Sequence, residues 1–167
     1  MWSNRPVTTS ANLLATLLSS DGARIVSDGE TVELPELRRR VGAWAGHLKR
    51  QHDTGSLIGV ISGNDAPFVV GYLACLAAGM VAVPLNPLSP EAERRRDLGA
   101  VALAEVLVGP LLQESLDSLR SVLEGTPVTL MDDVNITGTS VDVRTDYADV
   151  GADDVAVLLF TSGTAGP

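Results

Sequence analysis

Cysteine, histidine and aromatic residues are scarce in this sequence, and each scarcity narrows what the protein can be. The single cysteine, Cys75, cannot form an internal disulfide; this suits a reducing compartment, so we expect a cytoplasmic protein. His47 and His52 stand alone, without Cys, Asp or Glu at metal-ligand spacing, which argues against a structural metal site. Aromatic residues contribute only 4% of the chain and hydrophobic residues 45%, so Ala, Val and Leu must build the core.

Positive charge is also in deficit. Lys and Arg number 12 against 21 Asp and Glu, which gives a net charge of −9. Seven Asp and one Arg lie between Asp132 and Asp154, so this segment alone contributes −6. An acidic surface repels the phosphate backbone of nucleic acids, and we therefore expect no nucleic-acid partner.

An uninterrupted membrane-spanning stretch is absent. Residues 66–85 carry no charge and are long enough to cross a bilayer as one helix. Proline and glycine interrupt the stretch at Pro67, Gly71, Gly79 and Pro84, which predicts a shorter buried helix followed by a strand. We therefore expect no transmembrane segment.

Short apolar runs rich in β-branched residues alternate with helical patterns. The predicted strands are 57–61, 80–83, 104–108, 128–131 and 155–160. The predicted helices are one over the leucines at 13–18, then 35–51, 67–78, 89–98 with Ser89 as its cap, and 112–123. Strands that alternate with helices predict an α/β fold, a mainly parallel sheet with helices on both faces.

Two further segments complete the predicted organisation. Residues 23–27 and 31–33 flank Asp28 and Gly29, which predicts a small hairpin ahead of the sheet. Residues 135–151 show no apolar periodicity and predict an acidic surface loop.

The last apolar run leads into a loop of small and hydroxyl residues, Thr-Ser-Gly-Thr-Ala-Gly-Pro at 161–167. Gly163 and Gly166 allow the backbone to turn tightly and approach a ligand, so that successive amide groups can point at one anion. Thr161, Ser162 and Thr164 add hydroxyl donors. The loop follows the carboxyl end of a strand, where α/β sheets bind ligands, and it lacks the Walker and dinucleotide-binding patterns. A Ser/Gly-rich terminal turn remains the alternative.

Residues 160–167 resemble the signature phosphate loop of the adenylate-forming (AMP-binding) superfamily, which normally continues with Lys-Gly. Residues 76–87 resemble its second core motif, and residues 31–37 are a looser version of its first. The resemblance implies that 1–167 is the N-terminal part of an adenylation domain, truncated in the phosphate loop, without the remaining subdomains and C-terminal lid. It also implies that the ATP phosphates are bound by Thr161, Ser162, Gly163, Thr164, Ala165 and Gly166.

The resemblance extends to cofactors and activity. Thr161 is implied as a ligand of Mg2+, and Ala165 departs from the Thr or Ser usual there, which removes one hydroxyl donor. Ala-Val-Pro-Leu-Asn-Pro at 82–87 favours an acyl-CoA synthetase (fatty-acid–CoA ligase), with ATP and CoA as co-substrates, over a peptide-synthetase adenylation domain. No catalytic residue lies in this chain, so we expect it to be inactive alone and to self-associate. A flavodoxin-like phosphate or FMN module and a non-catalytic truncated domain remain alternatives.

Overall fold

The computed structural model describes residues 10–20, 22–27, 29–123, 125–132, 140–146, 148 and 150–160. In chain order, the elements are α1 (Ser10–Ser19), β1 (Arg24–Ser27), β2 (Glu30–Glu33), α2 (Leu34–Gln51), β3 (Leu57–Ile61), α3 (Ala66–Ala78), β4 (Val81–Leu85), α4 (Glu91–Gly99), β5 (Glu105–Val108), a 3-10 helix (Pro110–Ser115), α5 (Leu116–Val122) and β6 (Val128–Leu130).

The central sheet has four strands in the order β4-β3-β5-β6. Its pairs are parallel, with Ile58 opposite Ala82 on one side and opposite Glu105 on the other. The strands β1 and β2 form a separate antiparallel hairpin. The predicted parallel α/β sheet and its leading hairpin are therefore confirmed.

The long helices bury the faces that their sequences predict. In α2, Leu37, Val41 and Leu48 are buried, whereas Arg39 points outward and pairs with Glu36. Asp65 caps the start of α3 by accepting a hydrogen bond from the Phe68 amide at 2.9 Å. The left-handed Gly79, with φ 74°, ends the same helix.

Helices cover the sheet on both faces. One core contains α1, α2 and α3 and buries Leu14, Trp44 and Ala74, among others. The opposite core contains α4 and α5 and buries Leu98 and Leu119. The stretch 66–85 is split between α3 and β4, as its prolines and glycines predict. Within the described residues, none of the helices has the length and apolar content needed to span a bilayer.

Two helix predictions need correction. Ser89 does not cap α4; the cap position is Pro90, and the Ser89 carbonyl instead accepts a hydrogen bond from Arg94. The predicted helix 112–123 is divided into the 3-10 helix and α5, because the amide of Leu112 bonds to Gly109, three residues back, rather than four.

The predicted strand 155–160 is reduced to one parallel bridge, between Ala82 and Val157. Ala82 bonds to this segment through both its amide and its carbonyl, at 3.0 and 2.9 Å. Pro84, two residues further, faces the same side of β4 and has no N–H to donate. The ladder therefore ends after one bridge.

The predicted acidic loop at 135–151 is only partly exposed. Arg144 and Asp146 face solvent, but Val143 is 1% exposed and belongs to the core. The amide of Val141 donates to the carbonyl of Gly42 in α2 at 3.1 Å. Val141 is partly buried against the same core, and two apolar residues are too few to produce a recognisable periodicity. Residues 133–139, 147 and 149 lie outside the described residues.

Candidate functional site

The carboxyl edge of the sheet collects polar groups from several strands. Ser62 follows β3 and donates to both carboxylate oxygens of Asp65, at 2.8 and 2.9 Å. Asn86 follows β4 and accepts from the Leu88 amide through its side chain. Gly109 follows β5, and its amide bonds to Ile61. The side-chain bonds of Ser62 and Asn86 turn the chain where β3 and β4 end.

A small cleft of about 190 Å³ lies at this edge. Phe160 lines it from one side, and the carboxyl end of β4 and the helix α4 line it from the other. Two carboxylates from α4, Glu93 and Asp97, face this cleft, and Arg96 pairs with both. The residue directly before the predicted phosphate loop is therefore placed at the ligand-binding edge of the α/β sheet.

The predicted phosphate-binding residues themselves lie outside the described residues. They are Thr161, Ser162, Gly163, Thr164, Ala165 and Gly166. The predicted magnesium role of Thr161 is likewise untested. Their roles stay predictions. What the structure gives is the point at which the loop begins, since Leu158 is hydrogen-bonded to β4 and Phe160 lines the cleft.

A larger cleft, of about 420 Å³, lies at the opposite edge. The amino ends of β3 and β4 line it, together with residues 154–156. Its walls are mostly apolar, and it is remote from the carboxyl ends of the strands. We assign it to the packing of residues 150–158 against β4 rather than to ligand binding, because α/β sheets bind ligands at the carboxyl edge.

A buried carboxylate with two histidines lies at this amino edge and was missed in the sequence. Glu105 is 2% exposed, and its oxygens lie 3.1 Å from Nε2 of His47 and 2.7 Å from Nε2 of His52. The Thr129 hydroxyl also donates to it. An ionised carboxylate only accepts hydrogen bonds, so each Nε2 carries a proton. The view that the histidines stand alone is therefore wrong.

The local electrostatics follow from this arrangement. Burial would raise the pKa of Glu105, but hydrogen bonds from His47, Thr129 and His52 together hold that pKa below its usual value. Burial, and secondarily the charge of Glu105, raises the pKa of the Cys75 thiol, so the thiol is neutral and unreactive. Across the described residues, no group of three or more His, Cys, Asp or Glu is arranged to hold a metal ion.

The only signal for this cluster in the sequence is a glutamate at the head of an apolar strand. Glu105 precedes Val-Leu-Val in a run that is otherwise buried. A charged residue at such a position needs partners. The sequence does not say which ones, since His47 lies 58 residues away.

A parallel sheet covered on both faces, with a leading hairpin, matches the N-terminal subdomain of adenylate-forming enzymes. The ATP-bound crystal structure of MatB from Rhodopseudomonas palustris has this fold, with a TM-score of 0.72 and 25% identity. The alignment covers 93% of this chain and 33% of MatB. The chain belongs to the AMP-binding enzyme family, whose model matches residues 18–167.

Curated relatives agree with the family assignment. The chain is 33% identical to 4-coumarate–CoA ligase-like 3 of Oryza sativa subsp. japonica, over 93% of this chain and 30% of that protein. It is 31% identical to the medium/long-chain-fatty-acid–[acyl-carrier-protein] ligase FadD10 of Mycobacterium tuberculosis, over 78% of this chain and 25% of FadD10. The chain thus spans about a third or less of the length of these relatives, and the family match displaces the flavodoxin-like alternative.

Proposed function

We propose that the complete polypeptide containing this chain is an acyl-CoA synthetase that activates a carboxylic acid, in our assignment a fatty acid. A carboxylate oxygen attacks the α-phosphorus of ATP, which gives an acyl-adenylate and releases pyrophosphate. The thiol of coenzyme A then attacks the acyl carbon, and AMP leaves. The family match and the acid–thiol ligases among the relatives support this proposal.

The observation that carries the proposal is the course of residues 155–160. They run parallel to β4, bond to it at Ala82, and reach the carboxyl edge at Phe160, immediately before Thr161. In this proposal the amides and hydroxyls of residues 161–166 hold the β- and γ-phosphates, and Thr161 also binds Mg2+. Such donors position the nucleotide and offset its charge, which is the main protein contribution to this chemistry.

This chain supplies no nucleophile or general base in the proposal. Its role in the proposal is to hold the phosphate loop, and it spans about a third or less of the length of its ligase relatives. The residues 1–167 alone are therefore expected to be inactive.

Exchange of labelled pyrophosphate into ATP tests the function. The complete polypeptide is assayed with Mg2+, ATP and a panel of saturated fatty acids, 4-coumarate and amino acids. We expect exchange with a fatty acid, and an acyl-CoA product when CoA is added. Exchange with an amino acid only would favour a peptide-synthetase adenylation domain, and no affinity for magnesium-ATP would overturn the assignment. Exchange by residues 1–167 alone would contradict the expected inactivity.

A carrier protein is a second candidate for the thiol acceptor. The likeness to FadD10, named as a fatty-acid–[acyl-carrier-protein] ligase, favours it. Single-turnover transfer from the acyl-adenylate to CoA and to a phosphopantetheinylated carrier protein distinguishes the two acceptors.

Residues 1–167 alone are expected to self-associate through the outer side of segment 155–160. Val155 is 63% exposed and Leu159 is 67% exposed, four residues apart on the same side of an extended segment. Such apolar surface beside a sheet edge favours association. Light scattering should show oligomers that the Val155→Ser, Leu159→Ser double variant reduces, whereas Val26→Ser, at a 66% exposed position on the hairpin, leaves them unchanged. A monodisperse monomer at high concentration would contradict this expectation.

A further inference from the structure

A segment that we term the strap, residues 140–146 and 148, crosses the outer side of the helix layer. The amide of Val141 donates to the carbonyl of Gly42 in α2, and the amide of Ala148 donates to Ala77 at the end of α3. Lys49 of α2 donates to the backbone and the carboxylate of Asp146, both at 3.1 Å. The strap is therefore bonded to both helices.

Glycine occupies two positions at which the strap lies close to the helices. A Cβ on Gly42 would lie 2.4 Å from the Val141 carbonyl oxygen and 2.7 Å from the Ser140 hydroxyl. A Cβ on Gly79 would lie 2.4 Å from the Ala148 Cβ, although its positive φ already requires glycine. Gly42 has no such conformational reason, and glycine inside a helix is less stable than alanine. Its reason is the close approach of the strap.

The strap continues towards the segment that precedes the proposed phosphate loop. The Asp154 carboxylate accepts a hydrogen bond from the Gly151 amide at 2.7 Å, which turns the chain towards β4. Residues 155–160 then contact β4 through the two backbone bonds of Ala82, because Pro84 ends the ladder. Ala156, Val157, Leu158 and Phe160 also pack against the two cores. Only two backbone hydrogen bonds fix the segment along β4, so its exact position there also depends on what holds the chain before it.

We propose that Gly42 is a positioning residue for nucleotide binding: it admits the strap, and the strap holds residues 155–160 at the carboxyl edge. This inference rests on the proposed function, because the position of residues 155–160 affects nucleotide binding only if residues 161–166 bind the phosphates of ATP. Gly42 touches no substrate. It acts through the Val141 backbone, because a small displacement of the strap at Val141 also displaces residues 155–160, which lead into the phosphate loop.

The test is Gly42→Ala in the complete polypeptide, with Gly99→Ala as its matched control. A Cβ on Gly99, at the end of α4, meets no atom within 4 Å. We expect Gly42→Ala to raise the KM for magnesium-ATP roughly three- to tenfold while the KM for the carboxylic acid and kcat stay near wild type. Adding Ser140→Gly removes one of the two close contacts and should recover part of the loss.

Hydrogen exchange of the Ala82 and Leu158 amides gives a readout that is independent of activity. These amides form the two bonds between β4 and residues 155–158, and Gly42→Ala should accelerate their exchange while Gly99→Ala does not. If Gly42→Ala does not fold, Lys49→Met removes the bonds to Asp146 without a clash and should shift both readouts in the same direction.

The outcomes separate the two proposals. Unchanged exchange at Ala82 and Leu158 would overturn the role of the strap. Faster exchange with an unchanged KM for magnesium-ATP, or only a lower melting temperature, would reduce Gly42 to a structural residue and overturn the positioning role. If the wild type binds no magnesium-ATP, the proposed function falls, while the exchange rates still decide whether Gly42 holds residues 155–158 in place.

Discussion

Removing both imidazoles that contact Glu105 is expected to lower the free energy of unfolding by about 3–5 kcal/mol, more than removing the carboxylate itself. In a His47→Leu, His52→Leu variant, the buried Glu105 carboxylate keeps only the Thr129 hydroxyl among the side-chain partners in the described residues. A buried carboxylate that has lost most of its hydrogen-bond donors destabilises the folded state. In Glu105→Leu, by contrast, the histidine side chains are 26% and 13% exposed and can hydrogen-bond to water.

Urea unfolding at neutral pH measures the difference. The triple variant, with Glu105→Leu added to the two histidine changes, is the control. Replacing a whole buried polar cluster by apolar residues is often near neutral, so the triple variant should recover most of the stability that the double variant loses. A double variant within about 1 kcal/mol of wild type would show that Glu105 does not depend on the histidines.

The same cluster sets part of the acid sensitivity. The folded-state pKa of Glu105 lies below the ordinary value of 4.5, so its contribution to stability is complete above that value. It is lost as the pH falls below 4.5 and through the lowered pKa. Glu36, whose pKa is lowered to about 2 by hydrogen bonds from Arg39 and Arg40, titrates in the same window. A Glu105→Gln variant should therefore lose less stability than wild type on acidification, with the Glu36 contribution common to both.

Local sequence patterns were sufficient for most of the fold. The helix α3 shows why, because its cap, its first-turn proline and its terminal glycine are all part of the local sequence. The segment also carries no charge, which predicts that it is buried. The failures share a physical cause. Segment 155–160 has the composition of a strand, but whether it forms one depends on Pro84 in the neighbouring strand, which a pattern within 155–160 cannot reveal.

The candidate site divides in the same way. The phosphate loop could be predicted because its glycines and hydroxyls are contiguous in the sequence, and its assignment stays a prediction because residues 161–166 lie outside the described residues. The contacts of Glu105 and of the strap could not be predicted. His52 and Glu105 are 53 residues apart in the sequence. Gly42 and Val141 are joined by a hydrogen bond between backbone atoms, which all residue types share, so the sequence does not indicate it.

Gly109→Ala is expected to destabilise the chain by about 3–5 kcal/mol, the sum of overpacking and a lost charge-assisted hydrogen bond. The new Cβ would lie 1.8 Å from the Ser62 hydroxyl and 2.7 Å from the Ser62 Cβ. The backbone at Gly109, with φ −64° and ψ 147°, suits alanine, so backbone strain adds nothing to the penalty. Gly63→Ala, beside Ser62, has its nearest contact at 3.3 Å and should cost far less.

The clash at Gly109 cannot relax cheaply, because both partners are held. The Gly109 amide bonds to Ile61, which keeps β5 against β3. Ser62 cannot rotate away without releasing Asp65, whose carboxylate caps α3. Ser62→Gly removes the hydroxyl and the Cβ together, so adding it to Gly109→Ala should recover roughly 1–3 kcal/mol relative to the sum of the single changes. Additive losses in urea unfolding would mean that Gly109 is required for some reason other than Ser62.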